Sequence, residues 1–147
     1  MKPLFTLLLL AGSFFANAKF TDNTTEVNAA VKAAFQQSYG KAKEVSWSAS
    51  ENLYKAAFVL DGVYLNAFYN EAGNLMGLSR HLSLQQLPLS LQGSLKELCS
   101  EGWIADLFEM VTDEGTAYYI TFETANEKRS FKSNGNNWST YKKVRKL

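Results

Sequence analysis

The 147-residue chain carries 15 Lys and Arg against 14 Asp and Glu, with one His, one Cys and 14% aromatic residues. That is one domain's worth of sequence, and once Lys2 is removed with a leader the charges balance, so no global field draws nucleic acid or an anionic membrane. One His and one Cys are too few for a His/Cys metal cage or a disulfide framework, and they leave little from which to build a nucleophile and its base.

The leader comes first in the chain. Met1-Lys2-Pro3 precedes an apolar stretch through Phe15, and Ala16-Asn17-Ala18 supplies a small-x-small cleavage site, so residues 1–18 read as a signal peptide and Lys19 as the mature N-terminus. The apolar stretch is shorter than the roughly 20 residues that cross a bilayer. No Cys lies near the cleavage point, so the product is expected to be exported, with no lipid anchor and no transmembrane segment.

From Thr24 to Tyr39 the apolar positions Val27, Ala30, Val31, Ala34, Phe35 and Tyr39 recur at helical spacing, with Asn23 or Thr24 as cap and Gly40 as stop. Val45–Trp47 is a short strand candidate. Leu53–Leu60 and Val63–Tyr69 are β-prone runs around Asp61-Gly62, a dipeptide suited to a two-residue hairpin because it tolerates positive φ. That turn sets Leu60 opposite Val63, Phe58 opposite Leu65, Ala56 opposite Ala67 and Tyr54 opposite Tyr69 on one apolar side, with Val59, Tyr64, Lys55 and Phe68 on the other. A turn at Asn70–Asn74 leads to a strand from Leu75 to about His81. Pro88 opens a second helix bearing Leu91, Leu95, Leu98 and Cys99, with Gly102 as its stop. Trp103–Val111, Ala117–Glu123, Lys128–Lys132 and Trp138–Val144 follow as strands.

Helix followed by antiparallel strands thus occurs twice. Tyr54 and Phe58 align with Tyr118 and Phe122, Tyr69 and Gly73 with Phe131 and Gly135, and Met76 with Trp138, at offsets of 64 and then 62 residues. The predicted fold is α+β: two tandem units, each a helix packed on an antiparallel β-sheet. They span about 24–82 and 86–146 within one compact domain, 19–147.

The helix ending Phe35-x-x-x-Tyr39, then Val45-Ser46-Trp47, Tyr54-x-Ala56-x-Phe58, Gly62, Phe68-Tyr69-x-x-x-Gly73 and Leu87-Pro88 resemble the small exported PepSY-like proteins of Bacteroidetes, which are grouped by fold with the β-lactamase inhibitor protein. The resemblance spans most of the mature chain and is clearest from Val27 to Pro88. It implies a periplasmic or secreted bacterial protein without catalytic residues, binding or inhibiting another exported protein. Its motifs are packing and turn motifs, which identify a fold more than an activity.

Each chemistry-bearing residue has a plain alternative. His81, beside Arg80, has no nucleophile placed next to it by a motif and reads as a rim histidine. Cys99 falls on the apolar face of its helix and reads as a small buried hydrophobe. Asp106, Glu109, Asp113, Glu114, Glu123 and Glu127 read as solvated strand and turn carboxylates, and Asp113-Glu114-Gly115 lacks the ligand spacing of a calcium loop. No metal or cofactor is expected. Lys128, Arg129, Lys132, Lys142, Lys143, Arg145 and Lys146 form a basic cluster interleaved with Phe131, Trp138 and Tyr141. In an exported protein this suits protection of a sheet edge, or an acidic patch on a partner, better than nucleic acid.

Tyr64, Phe68 and Tyr119, with Trp138 and Tyr141, are the candidate partner-binding residues. Alternation assigns the first three to the face away from Phe58 and Leu65, and an antiparallel sheet can leave such a face open. The expected function is therefore a non-catalytic binding module for a protein or peptide. The reading rests on duplicated, helix-shielded ribbons with some rings left wet; an undivided layer, or rings all sealed, would remove that basis. The alternative is a carrier of a small apolar ligand in a pocket between helix and sheet, lined by Phe58, Leu65 and Met76. A hydrolase using His81 or paired acids is the weakest reading.

Overall fold

The computed structural model describes residues 21–22, 27–99 and 101–146; the expected signal peptide and the proposed caps Asn23 and Thr24 lie outside them. The elements in order are β1 (Thr21–Asp22), α1 (Ala29–Tyr39), β2 (Lys43–Ala49), β3 (Tyr54–Leu60), β4 (Val63–Tyr69) and β5 (Leu75–His81). A short 3-10 turn (Leu84–Gln86) leads to α2 (Leu89–Leu98), β6 (Trp103–Thr112), β7 (Gly115–Glu123), β8 (Glu127–Ser133) and β9 (Ser139–Arg145).

Local chemistry accounts for most boundaries. Asp61 and Gly62 take φ of 50° and 80°, the paired positive values of a tight hairpin, and all four predicted helix-side pairs of β3 and β4 are observed. Gly73, at φ 85°, closes the next turn, where the Asn70 side chain accepts from the Asn74 amide. The first helix starts later than the sequence predicts. Asn28 is extended, and its Oδ1 accepts from the Val31 amide at 2.9 Å, so the cap falls there while Val27 packs beneath the helix. Likewise α2 ends at Leu98, short of Gly102.

The two-unit fold is not observed. Among the described residues nine antiparallel strands form one sheet in sequential order, and β5 pairs directly with β6 through Leu78–Val111, Ser79–Met110, Arg80–Glu109 and His81–Phe108. That pairing carries the backbone ladder straight across the boundary expected between units. A lone four-stranded ribbon would leave β5 and β6 as unpaired edges, and joining them satisfies both.

Both helices lie on the same face. Leu78 packs against the cluster under α1, its cross-strand partner Val111 is two residues along β6 from Glu109, and Leu107 on that same side belongs to the cluster under α2. The α1 cluster is built on Val31, Phe35, Ala56, Phe58, Ala67 and Tyr69; the α2 cluster on Leu87, Leu91, Leu95, Leu107, Ile120, Phe122 and Phe131. Alanines at 56 and 67 let α1 approach the sheet closely, and Phe35 then meets Phe58 edge to face at 5.0 Å. The other face carries no helix among the described residues.

Candidate functional site

Register builds a row of rings on the helix-free face. His81 of β5, Phe108 of β6, Tyr119 of β7 and Lys132 of β8 are successive cross-strand partners. The Phe108 and Tyr119 rings stack at 4.9 Å with 10° between planes. Tyr141 meets Tyr119 edge to face at 5.4 Å, and His81 meets Phe108 at 6.4 Å. Lys132 Nζ sits 5.5 Å from the Tyr119 ring centre, within cation–π range. The Ser130/Phe131 irregularity where β8 pairs β9 skips Tyr141 in the ladder.

The two ends of the row differ in charge chemistry. His81 Nδ1 lies 3.1 Å from Asp106 Oδ1, with the His81 side chain largely in solvent and that of Asp106 partly so. At the other end, burial, with a lesser contribution from Tyr119, pushes the Tyr141 phenol above its ordinary range, so it stays a neutral donor at physiological pH. The basic cluster is largely matched within the chain. Glu123 pairs with Lys146 at 2.6 Å and Lys128 at 3.1 Å, and Glu127 pairs with Arg129 and Lys143. The hydrogen bond from Lys146 holds Glu123 below the usual carboxylate range, and that from Lys143 does the same for Glu127. Lys146 also lies over the exposed Trp103 ring.

The predicted residues divide. Tyr119 and Tyr141 are brought together. Tyr64 is on the same face and 69% exposed, on β4, the strand next to that of His81. Phe68 is on that face by register, opposite Lys55 and Gly77, yet is only 7% exposed. Trp138 is on the helix side: it packs against the α2 cluster and donates through Nε1 to the Leu91 carbonyl at 3.2 Å. Cys99 is half-buried against that cluster. The carrier residues do not share a cavity, since Phe58 is sealed between Phe35 and Tyr39 while Met76 is exposed.

Sequence reading missed Phe108. The signal was present: a turn on Asp113-Glu114 pairing Thr112 with Gly115 puts Phe108 opposite Tyr119. The place of His81 beside them needs the β5–β6 pairing, which no local turn specifies.

No family model matches the chain, and no curated protein matches it. Solved structures do. A BLIP-like protein of Bacteroides fragilis NCTC 9343 superposes with a TM-score of 0.67 at 16% identity, covering 84% of this chain and 89% of its own. A Bacteroides uniformis ATCC 8492 protein of the DUF2874 family gives 0.72 at 15%, and a Bacteroides eggerthii DSM 20697 protein provisionally assigned to the periplasm gives 0.71 at 15%; each covers 82% of this chain and 90% of the other. The likeness is one of fold, and it carries the inhibitor-protein half of the sequence resemblance; none of these neighbours is named PepSY-like. No helix among the described residues is long and apolar enough to cross a membrane.

Proposed function

We propose that the chain is an exported, non-catalytic binding protein that engages a protein partner through the helix-free face of its sheet. The carrying observation is the contiguous row of Phe108, Tyr119 and Tyr141, ended by His81 and Lys132. The undivided sheet removes the original basis in duplicated ribbons, so the reading stands on this row and on exposed Tyr64 instead. Rings held by one another lose little freedom on binding, which favours their use as anchors. The neighbour named for the inhibitor fold and the one provisionally placed in the periplasm agree with this reading. Charges internally matched by Glu123 and Glu127 disfavour a purely electrostatic partner such as nucleic acid.

The test compares wild type with the double variant Phe108→Ser, Tyr119→Ser as immobilised bait for envelope proteins, with inhibition of a hydrolase panel, including a serine β-lactamase, as a second readout. Loss of a bound protein with the unfolding midpoint largely kept supports the reading. Equal capture and equal inhibition by both proteins overturn it.

A further inference from the structure

The two edges of the sheet differ. At one, β1 covers β2 at Ala49 and Ser48, and farther along β2 the register slips between Lys43 and Ser46, where Glu44 takes a φ of 53°. Such an irregularity turns an edge away from further pairing. At the other edge, β9 pairs only with β8 among the described residues, and its register is unbroken from Lys142 to Arg145. The Lys146 amide, next in the chain, donates to the Asn126 carbonyl at 2.8 Å, which fixes the alternation of the antiparallel ladder. The backbone groups of Lys146 face β8, so those of Arg145, and of Lys143 two residues back, turn outward. No strand among the described residues lies beside them.

Side chains decide what can pair there. Lys143 is the partner of Arg129, itself opposite Phe122 of the α2 cluster, so Lys143 and Arg145 lie on the helix side and Val144 on the other. The strand holds three cations and no acid. Glu127, opposite Arg145, is already held by Arg129 and Lys143, while Lys142 and Arg145 enter no ion pair among the described residues. An antiparallel ladder between two copies of β9 would set cations against cations, which disfavours a second copy of this chain. Carboxylates reverse that sign. We propose that β9 is extended by an antiparallel segment of a partner protein, with carboxylates opposite Lys143 and Arg145 and a β-branched apolar residue between them, opposite Val144. Main-chain bonds to the outward N–H and C=O groups supply the attraction, and the carboxylates select the segment. This surface is a backbone edge, so it does not depend on the ring row.

Isotope-labelled protein titrated with the acetylated and amidated peptide Thr-Val-Glu-Val-Glu-Val-Thr tests this. The Lys143 and Arg145 amides are expected to shift saturably and to exchange more slowly with solvent. Replacing both Glu of the peptide by Lys should weaken binding by about tenfold or more, because two attractive cross-strand pairs become repulsive. N-methylation of both Glu, whose N–H groups would face β9, should abolish the response; N-methylation of the central Val, whose N–H would face away, should leave it intact. Arg145→Pro removes an outward donor without taking a bond from β8, and should remove the response while keeping the unfolding midpoint. No saturable shift in β9 at any soluble concentration, equal binding of the lysine peptide, or equal effects of the two N-methylations overturns the proposal.

Discussion

The ring of Phe108 lies parallel to that of Tyr119, 4.9 Å away on the neighbouring strand, with 10° between the planes. Offset aromatic pairs contribute about 0.5–1.5 kcal/mol beyond the area they bury. A double-mutant cycle of Phe108→Leu and Tyr119→Leu, measured by urea unfolding, should return a coupling in that range. A coupling of zero would mean that the two rings meet only by cross-strand proximity.

Trp138 ties the loop before β9 to α2. Its indole donates to the Leu91 carbonyl, and Ser90 Oγ donates to the Gly135 carbonyl at 2.7 Å from the same stretch of helix. Trp138→Phe keeps a ring and removes the donor, so it should cost about 1 kcal/mol and speed amide exchange in α2 more than in α1. Uniform acceleration across both helices would contradict a local tether.

Tyr69 is 1% exposed, and among the described residues its hydroxyl has no hydrogen-bond partner. Burial, with a smaller effect from Tyr39, pushes the phenol up to about 12 from its ordinary 10.0. A raised folded-state value favours the protonated form, so the stability it contributes is complete below pH 10 and is lost as pH rises toward 12. Tyr69→Phe should therefore be neutral or stabilising at pH 7, within about 1 kcal/mol, and should flatten the alkaline fall in unfolding midpoint. Marked destabilisation at pH 7 would show that the hydroxyl is bonded in solution.

Glu123 and Glu127 give the opposite pH dependence. Their folded-state values lie below 4.5, so the stabilisation is present above that value and is lost as pH falls through the lower folded values. Glu123→Gln should shrink the acid-induced drop in thermal midpoint and should also lower the midpoint at pH 7, an effect weakened by salt. An unchanged acid limb would separate the ion pairs from acid unfolding.

Gly102 opens β6 at φ 103°, and a Cβ there would lie 2.3 Å from the Glu123 carbonyl oxygen. Gly62, at φ 80°, has open space around it. Gly62→Ala should cost about 1–2 kcal/mol of backbone strain, and Gly102→Ala distinctly more, because backbone must move as well. Equal losses in thermal unfolding would show that β7 yields without penalty.

Several features were legible in the linear sequence because neighbouring residues decide them. Asp61-Gly62 can turn only one way cheaply, and the turn then assigns Phe58, Leu65, Ala56 and Ala67 to one face. The 3.6-residue spacing of Val31 and Phe35 similarly buries one side of α1. Asn28 could have been read as the cap, but several polar residues in a row competed for that role. The fusion of β5 with β6 was not legible, because closing it spans the whole α2 connection and depends on which strand edges remain unpaired after the hairpins form. That one long-range ladder makes a single sheet out of two expected ones, sets His81 beside Phe108, and places Arg80 over Glu109 between two helices. The placement of His81 beside Phe108 and of Arg80 opposite Glu109 follows from it, whereas the Phe108–Tyr119 stack comes from the local β6–β7 turn.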